Sequence, residues 1–268
     1  MSITEAPHMP QRLDGLALSA VLPAHNEEHN LAAVVVPLAG VLRRLPLHDW
    51  EIVIVNDGST DRTGETAEQL VRGDPGRIRV IHSERNEGYG AALKRGFDAT
   101  RHSVIFYMDA DGQCDVEALH DLLQRLDDAD LATGYRLNRA DPWPHRVVSK
   151  TFNWMVRAVF GVSTRDANCP FRLVRRCVLE SLTLESTQGF FSAELLVKTI
   201  WCGFRVAAMG IPHYPRRAGR SMFQLRTIYH TLWECFRVRR SLGPAAHDAR
   251  RRMASGGPAS VLRVGESA

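Results

Sequence analysis

The sequence predicts an α/β fold with a mostly parallel β-sheet and helices on both of its faces. Short apolar segments, each ended by turn residues, alternate with amphipathic segments through the first half of the chain. That alternation is typical of a parallel sheet, because each strand must be joined to the next by a crossover. The 268 residues suffice for one large core with appendages, and a hydrophobic share of 44% is ordinary for a globular protein.

Four strands and three helices are predicted for the first half, in alternating order. The strands are apolar or β-branched and cover residues 18–23, 51–56, 77–83 and 103–109. Helical periodicity covers residues 30–45, 61–71 and 88–100. Pro37 lies inside the first helix and is expected to kink it or to move its start. Ligands of such sheets bind at the carboxyl ends of the strands, so the polar segments that follow these strands form the candidate site.

The second half of the chain has a more mixed pattern. Helices are predicted over residues 115–126, 145–160, 192–201 and 222–240, with extended segments at 130–133 and 205–214 and a loop at 166–172. In terms of domains, we expect a flexible N-terminus over residues 1–15 and one folded domain over 16–221. An amphipathic helix over 222–241 and a disordered basic tail over 242–268 follow.

The composition argues against several classes of function. The net charge of +4 is too small to indicate a nucleic-acid partner. Five cysteines without a C-x-x-C spacing indicate reduced thiols in a cytoplasmic protein, not a disulfide or zinc framework. The longest apolar run, residues 31–42, is shorter than the roughly 20 residues that a membrane-spanning helix needs. Any action at a membrane is therefore expected at its surface.

Two carboxylates follow the fourth predicted strand. Asp109 and Asp111 are two residues apart, and Gln113 adds a carboxamide two residues further on. Oxygen ligands of this kind suit a hard divalent cation, Mg²⁺ or Mn²⁺, which can bridge them to substrate phosphates. Asp and Gly also favour the loops that follow strands, so turn chemistry is the alternative interpretation. The place of this pair at a strand end, with other polar strand ends upstream, favours the metal site.

Polar turns also follow the first two predicted strands. The turn at residues 22–28 is a candidate neighbour of a nucleotide base and ribose, although capping explains part of its acidic character. After the second strand, Asp57 precedes Gly58 and is the candidate contact to the base. Ser59 or Asp61 is expected to cap the next helix.

Gly88 and Gly90 lie at the start of the third predicted helix. Small residues there let the backbone approach a diphosphate, and N–H groups at a helix start favour anions. The dinucleotide fingerprint G-x-G-x-x-G is not completed, because position 93 is Leu. Nothing in this segment requires NAD.

These four segments, in this order, resemble the inverting glycosyltransferases of family 2, which have the GT-A fold. The resemblance covers residues 18–222. More narrowly, the segments resemble the dolichyl- or polyprenyl-phosphate mannosyl- and glucosyltransferases. It implies a metal site formed by Asp109, Asp111 and Gln113. The residues that it implies for binding of the nucleotide sugar are Pro23, Ala24, Asn26, Glu28, Asp57, Gly88 and Asp109.

The second half strengthens the narrower resemblance, with a G-x-R segment at residues 134–136 and a D-x-x-x-x-F-R segment at 166–172. The residues that the resemblance implies for binding of an acceptor phosphate are Arg136, Arg146, Ser149 and Arg216. Guanidinium groups are well suited to that task. Arg136 and Arg216 are accordingly predicted catalytic residues together with the two aspartates. Met222 stands where the group usually has Lys, which removes one expected charge.

The predicted mechanism depends on the acceptor. The metal would neutralise charge on the departing nucleoside diphosphate. A phosphate monoester, with a second pKa near ~6, is already mostly anionic at neutral pH, so a phosphate acceptor needs no general base. If the acceptor were a sugar hydroxyl, Glu194 or Asp166 would be the candidate base. The Q-x-x-R-W segment of processive polysaccharide synthases is missing, which argues against a polymerase.

The predicted helix at residues 222–240 has two interpretations. Apolar residues recur at helical spacing, with Arg226, His230 and Arg237 among the polar positions. The helix either packs on the domain or lies at a membrane surface, with its Trp and Phe at the bilayer boundary.

The predicted function is transfer of a hexose from a GDP-mannose- or UDP-glucose-type donor to a polyprenyl or dolichyl phosphate. The enzyme is expected in the cytoplasm, in peripheral contact with the inner face of the cell membrane. Two alternatives stay open: a transferase with a soluble small-molecule or glycan acceptor, and a non-catalytic nucleotide-binding protein of the same fold.

Overall fold

The computed structural model describes residues 15–137, 143–216, 225–241 and 263–264. The expected flexible N-terminus, the start of the last predicted helix and nearly all of the predicted tail lie outside these residues. The strands of the described part are β1 (Ala17–Ala24), β2 (Asp49–Asp57), β3 (Ile78–Ser83), β4 (Val104–Tyr107), β5 (Leu131–Leu137), β6 (Arg172–Arg175), β7 (Val206–Pro212) and β8 (Arg263–Val264). The helices are α1 (Leu31–Arg44), α2 (Thr63–Gly73), α3 (Tyr89–Ala99), α4 (Ala118–Gln124), α5 (Trp143–Phe160), α6 (Arg176–Glu180), α7 (Phe191–Trp201) and α8 (Leu225–Ser241).

All eight described strands form one sheet in the order β3-β2-β1-β4-β6-β5-β7-β8. β1 pairs in parallel with β2 on one side and with β4 on the other. Only β6, among the described strands, runs antiparallel to its neighbours β4 and β5. The chain winds outwards from β1 to β3 and then returns to β4 on the far side of β1. The crevice beyond the carboxyl end of β1 is therefore a topological switch point, the usual ligand site of such sheets.

Helices cover both faces of the sheet, which explains why its central strands are apolar on both sides. Alternate residues of β1 point to opposite faces. Leu18 and Leu22 join a core cluster with α1, α2 and α4. Val21 joins a second cluster with α3, α5, α6, α7 and α8. The predicted alternation of strands and helices in the first half is confirmed.

β6 was not predicted, and the loop expected at residues 166–172 ends where this strand begins. Arg172 is 0% exposed and Arg175 only 8%, whereas sequence patterns treat Arg as a solvated residue. Arg172 donates to the carbonyls of Ala167, at 2.6 Å, and Ser192. Arg175 donates to the Leu126 carbonyl at 2.7 Å. These hydrogen bonds allow the guanidinium groups to be buried, and so allow a strand with Arg at both ends.

Two further differences concern Pro37 and the C-terminal tail. α1 starts at Leu31 and includes Pro37, so Pro37 does not move the start of the helix, and the alternative of a kink stays a prediction. Arg263–Val264, within the segment predicted to be disordered, pair in parallel with β7.

No helix in the described ranges is both long enough and apolar enough to cross a bilayer.

Candidate active site

The candidate site lies at the carboxyl ends of β1, β2 and β4, where the polar segments selected from the sequence meet. Asn26 and Glu27 follow β1, Asp57 ends β2, and Asp109 follows β4. The segments contact each other directly, since the Asn26 Oδ1 accepts a hydrogen bond of 2.9 Å from the Thr60 amide. The site therefore occupies the topological switch point.

Asp109 is a carboxylate in an unfavourable position. Its Oδ1 is buried and has no hydrogen-bond donor among the described residues. Burial, followed by the negative charge of Asp111, raises the pKa of Asp109 from 3.8 to about 7. A bound cation would relieve both costs, because it would satisfy the buried oxygen and neutralise the repulsion.

The turn that contains Asp111 and Gln113 is fixed to the segment that follows β7. The backbone amide of Gln113 donates to Asp111 Oδ1 at 3.0 Å. Gly112, between the two residues, has a positive φ of 74°. The Gln113 carbonyl accepts from the Tyr214 amide at 2.8 Å, and Gln113 Nε2 donates to the Tyr214 carbonyl at 3.3 Å. Gln113 thus lies in the same turn as the carboxylates, while its role as a metal ligand stays a prediction.

Arg216, two residues after Tyr214, joins two carboxylates. Its Nη2 is hydrogen-bonded to Glu27, and its Nη1 lies 3.9 Å from Asp111 Oδ2. Glu27 also accepts a 2.7 Å hydrogen bond from the Asn30 side chain. Burial raises the pKa of Glu27, and the charge of Asp111 acts in the same direction. Glu27 is therefore a third carboxylate of the site, and Arg216 lies next to the predicted metal ligands.

Glu28, which the resemblance assigned to the nucleotide, connects the turn after β1 to neighbouring segments, and its contact with a nucleotide stays a prediction. Its Oε2 accepts a 3.0 Å hydrogen bond from the Arg62 amide, and its Oε1 lies 3.2 Å from His29 Nε2. The Glu28 amide in turn donates to Asp61 at 3.2 Å. These contacts connect the turn after β1 to the start of α2. The carboxylate that this turn directs to Asp111 is that of Glu27.

Pro23, Ala24 and Asn26 shape the same turn. Pro23 and Ala24 are buried in β1 opposite Val55 and Asn56 of β2, so only their backbone position can serve a ligand. Asn26 has a φ of 57°, which its short polar side chain tolerates. Their contacts with a nucleotide stay predictions.

Asp57 holds the loop between β3 and α3. Its two carboxylate oxygens accept hydrogen bonds from the amides of Glu87, at 3.0 Å, and Gly88, at 2.9 Å. Asp57 is buried, and His25 Nδ1 lies 2.8 Å from its carbonyl. Its predicted contact with the base is untested, but its carboxylate clearly positions the Gly88 loop.

The backbone amides at the start of α3 are hydrogen-bonded within the protein. The amide of Gly88 is bound to Asp57, and those of Gly90 and Ala91 donate to the Thr187 carbonyl at 2.9 and 3.2 Å. The glycines permit close packing: a Cβ at Gly88 would lie 2.3 Å from the Gln188 side chain. The segment before α7 and Asp57 thus occupy these amides, and the approach of a diphosphate to the start of α3 stays a prediction.

Arg136 is bound to Asp166. Its Nε and Nη2 donate to the two carboxylate oxygens at 2.6 and 2.9 Å, and both side chains are largely buried. The positive charge of Arg136 also acts to lower the pKa of Asp109, so its guanidinium lies on the side of the metal ligands. Arg146 is exposed and Ser149 half-buried on α5. The structure thus places Arg216 beside Asp111 and Arg136 within electrostatic range of Asp109. It places Arg146 and Ser149 on a separate helix.

Comparison with known proteins assigns the family. Residues 19–183 match the family described as glycosyl transferase family 2. The chain belongs to glycosyl transferase family 2. One relative, the polyprenol monophosphomannose synthase of Mycolicibacterium smegmatis, is 36% identical over 226 residues, which are 80% of this chain and 83% of the relative. Glycosyltransferase AglD of Haloferax volcanii is 34% identical over 75% of this chain, but the chain spans only 34% of AglD.

Solved structures confirm the predicted fold class. Glucosyl-3-phosphoglycerate synthase from Mycobacterium tuberculosis, solved with Mn²⁺, UDP and glucosyl-3-phosphoglycerate, superimposes with a TM-score of 0.65. The match covers 87% of this chain and 86% of that chain, at 20% identity. At this identity the likeness shows the shared fold alone.

Glu194 is excluded as the base of a family 2 transferase with a hydroxyl acceptor. It is 0% exposed, and it accepts hydrogen bonds from the amides of Glu185, at 2.8 Å, and Ser186, at 2.7 Å. Lys198 Nζ lies 2.7 Å from its Oε1. The carboxylate is occupied inside the core, so it cannot reach a substrate. Asp166, the other candidate, is 4% exposed and bound to Arg136.

Proposed function

We propose that this family 2 glycosyltransferase moves a hexose, with inversion, from a GDP-mannose- or UDP-glucose-type donor to a polyprenyl or dolichyl phosphate. The observation that carries the proposal is the pair Asp109 and Asp111 at the switch point, with a buried oxygen that lacks a donor within the described structure. The names of relatives support the acceptor: polyprenol monophosphomannose synthase, and the dodecaprenyl-phosphate galacturonate synthase of Rhizobium johnstonii, 27% identical over 84% of this chain and 67% of the relative.

The donor set fits Mg²⁺ or Mn²⁺. Asp109 and Asp111 would hold the ion, with Gln113 as a further oxygen ligand, and the bound ion supplies positive charge that stabilises the departing nucleoside diphosphate. In the part of the chain that the structure describes, no three Asp, Glu, His or Cys side chains are grouped so that they could hold a metal ion by themselves. An ion on Asp109 and Asp111 would therefore need water and substrate phosphate to complete its oxygen ligands. Structures with the same fold contain Mn²⁺ or Mg²⁺ with UDP, which supports a divalent cation.

Two arginines are the proposed ligands of an acceptor phosphate: Arg216, beside Asp111, and Arg136, whose charge acts on Asp109. Arg216 is bound to Glu27 and Arg136 to Asp166, so both guanidinium groups are already oriented. An incoming phosphate competes with these carboxylates for the guanidinium donors. Since the phosphate is itself the nucleophile, positioning replaces base catalysis. This agrees with the finding that neither Asp166 nor Glu194 is free to act as a base.

Exposed apolar residues on α5 and α8, two helices that pack on the same core cluster, support peripheral contact with a membrane. On α5, Trp143 is 75% exposed, Val147 52% and Trp154 69%. The same helix carries three cations, Arg146, Lys150 and Arg157, and no Asp or Glu. Exposed Trp combined with cations is the pattern of a helix that lies at the interface of an anionic bilayer. We call the exposed residues of α5 and α8 the aromatic surface.

α8 packs on the domain with one side and exposes the other, so the two interpretations that the sequence left open are compatible. Glu234, Cys235 and Val238 are buried against the domain. The exposed side of the helix contributes apolar residues to the aromatic surface, namely Leu232, Trp233 and Phe236. Arg237 and Arg240 lie over the Trp233 and Phe236 rings at 4.9 and 5.7 Å. In the proposal this surface holds the enzyme on the inner face of the cell membrane, where the lipid acceptor is found.

The acceptor is tested by offering radiolabelled GDP-mannose and UDP-glucose with polyprenyl phosphate and Mn²⁺, followed by extraction. Label from one donor should enter the organic phase only when the lipid phosphate is present. The matched control is polyprenol without the phosphate, which should accept no label. Label that stays in a water-soluble product would contradict the lipid acceptor and favour a soluble one.

A further inference from the structure

We infer that Glu234 of α8 is a positioning residue for the donor subsite, acting through the turn at residues 187–190 on the start of α3. The inference rests on the proposed function, because it concerns how the nucleotide-sugar site is held. Glu234 lies beyond residues 19–183, the part that matches the family.

The first step is the contact between α8 and the turn. Glu234 is 3% exposed, and its carboxylate accepts three backbone hydrogen bonds. The donors are the amides of Thr187, at 2.8 Å, Gln188, at 2.9 Å, and Phe190, at 3.2 Å. A buried carboxylate with three amide donors fixes the turn, because loss of its charge would leave buried donors unpaired.

The second step leads from the turn to α3. The Thr187 carbonyl accepts from the amides of Gly90 and Ala91, and the Gln188 side chain packs against Gly88, which has no Cβ to prevent it. Gln188 Nε2 also donates to the Glu87 carbonyl at 3.4 Å. The turn therefore fixes the α3 start by backbone contacts on one side, while Asp57 holds it on the other.

The third step leads from the start of α3 to the donor subsite. Tyr89, the first residue of α3, is partly buried, with its hydroxyl inside the protein. Gly88, the residue before it, donates its amide to Asp57, which ends β2 at the candidate site. Displacement of the turn would move Tyr89 and Gly88 together, and with them one wall of the donor subsite. Glu234 does not itself touch the reacting atoms.

The experiment compares Glu234→Gln with Cys235→Ser. Glu234→Gln keeps the side-chain size but replaces one acceptor oxygen with a donor. Cys235 is the adjacent buried residue of α8 and contacts none of these amides, so Cys235→Ser reports on loss of α8 packing alone. The dissociation constants of UDP and GDP with Mn²⁺ are measured by calorimetry, and the KM for the acceptor by turnover.

Glu234→Gln should weaken binding of the preferred nucleotide at least about fivefold, with the acceptor KM changed less than about twofold. Hydrogen exchange without nucleotide should accelerate at residues 87–91 as well as at 187–190. Cys235→Ser should lower the melting temperature without either effect. Unchanged nucleotide affinity, unchanged exchange at 87–91, or equal losses in both variants would overturn the inference.

Two further outcomes are distinguishable. If Glu234→Gln does not fold, hydrogen exchange of the wild-type protein is measured with and without UDP or GDP and Mn²⁺. The inference predicts that the nucleotide slows exchange at residues 187–190. Unchanged exchange there would overturn the inference. If the wild-type protein binds neither nucleotide, the proposed function fails. The exchange comparison without nucleotide then still shows whether Glu234 holds the start of α3.

Discussion

Among single residues, Asp109, Asp111 and Glu27 give the site its negative charge, and Arg216 balances part of it. The two aspartates could be selected from the sequence because they directly follow an apolar strand. The sequence could not show whether Glu27 or Glu28 points into the site, because the direction of each side chain depends on the positive φ of Asn26. The one available signal was the spacing of Glu27 and Asn30, which places their side chains in contact.

Arg216→Gln should have opposite effects on the two functions of the site: tighter metal binding and slower sugar transfer. The Arg216 charge lies 3.9 Å from Asp111 Oδ2, and charges at such a distance near a protein surface interact appreciably. Its removal should tighten Mn²⁺ binding, measured by calorimetry without donor, by roughly fivefold to tenfold. Turnover with polyprenyl phosphate should fall at least ~100-fold, because a phosphate ligand is lost.

The control for this prediction is Arg205→Gln, since Arg205 pairs with Asp130 away from the aspartates and should leave Mn²⁺ affinity unchanged. Weaker Mn²⁺ binding in Arg216→Gln would contradict the arrangement described here.

Secondary-structure elements show where sequence patterns succeed and fail. β1 to β4 and α1 to α3 could be predicted because their periods agree with their burial. β6 could not, since its two arginines are buried by hydrogen bonds to carbonyls that are distant in sequence. The partner of the amides at the start of α3 could not be predicted, because Thr187 lies about a hundred residues away in the chain.

Glu51→Gln should destabilise the central sheet, where Glu51 of β2 is hydrogen-bonded to Ser19 of β1 and Arg79 of β3. Burial alone would raise the pKa of Glu51, but hydrogen bonds from Ser19, the Arg101 amide and Arg79 outweigh it, so the pKa lies below 4.5. Its stabilising effect is therefore complete above about pH 4.5 and is lost as the pH falls through the lowered pKa. Urea unfolding at pH 7 should show a free energy of unfolding about 3 kcal/mol lower in the variant.

The difference between wild type and Glu51→Gln should shrink below about pH 4.5. Glu180→Gln, at an exposed position, is the control and should change the free energy of unfolding little. A difference that does not depend on pH would show that the charge of Glu51 contributes nothing.

The aromatic surface is tested by Trp143→Ala combined with Trp154→Ala. Both rings are mostly exposed, so the variant should keep its fold but lose the side chains that enter the bilayer boundary. Co-sedimentation with vesicles that contain phosphatidylglycerol should fall by roughly tenfold. Val36, 60% exposed on α1 at the opposite face of the sheet, provides the control Val36→Ala. Equal vesicle binding by all three proteins would exclude this surface as the contact.

For the molecule as a whole, the sheet order explains why separate segments form one site. β1 lies between β2 and β4, so residues 26, 57 and 109 meet although they are far apart in the chain. The sequence was sufficient to predict the fold class, the family and the place of the aspartates. It did not reveal which charged groups already bind each other, since pairs such as Arg136 with Asp166 depend on the folded arrangement.

The most direct test of the account is metal-dependent use of the donor. Release of nucleoside diphosphate from GDP-mannose and UDP-glucose is measured with polyprenyl phosphate, with EDTA, and after Mn²⁺ is restored, for wild type and Asp111→Asn. Wild type should turn over one of the donors, and EDTA should abolish this turnover and Mn²⁺ restore it. Asp111→Asn should lose at least ~100-fold in turnover. Turnover that persists in EDTA, or an Asp111→Asn variant as active as wild type, would contradict it.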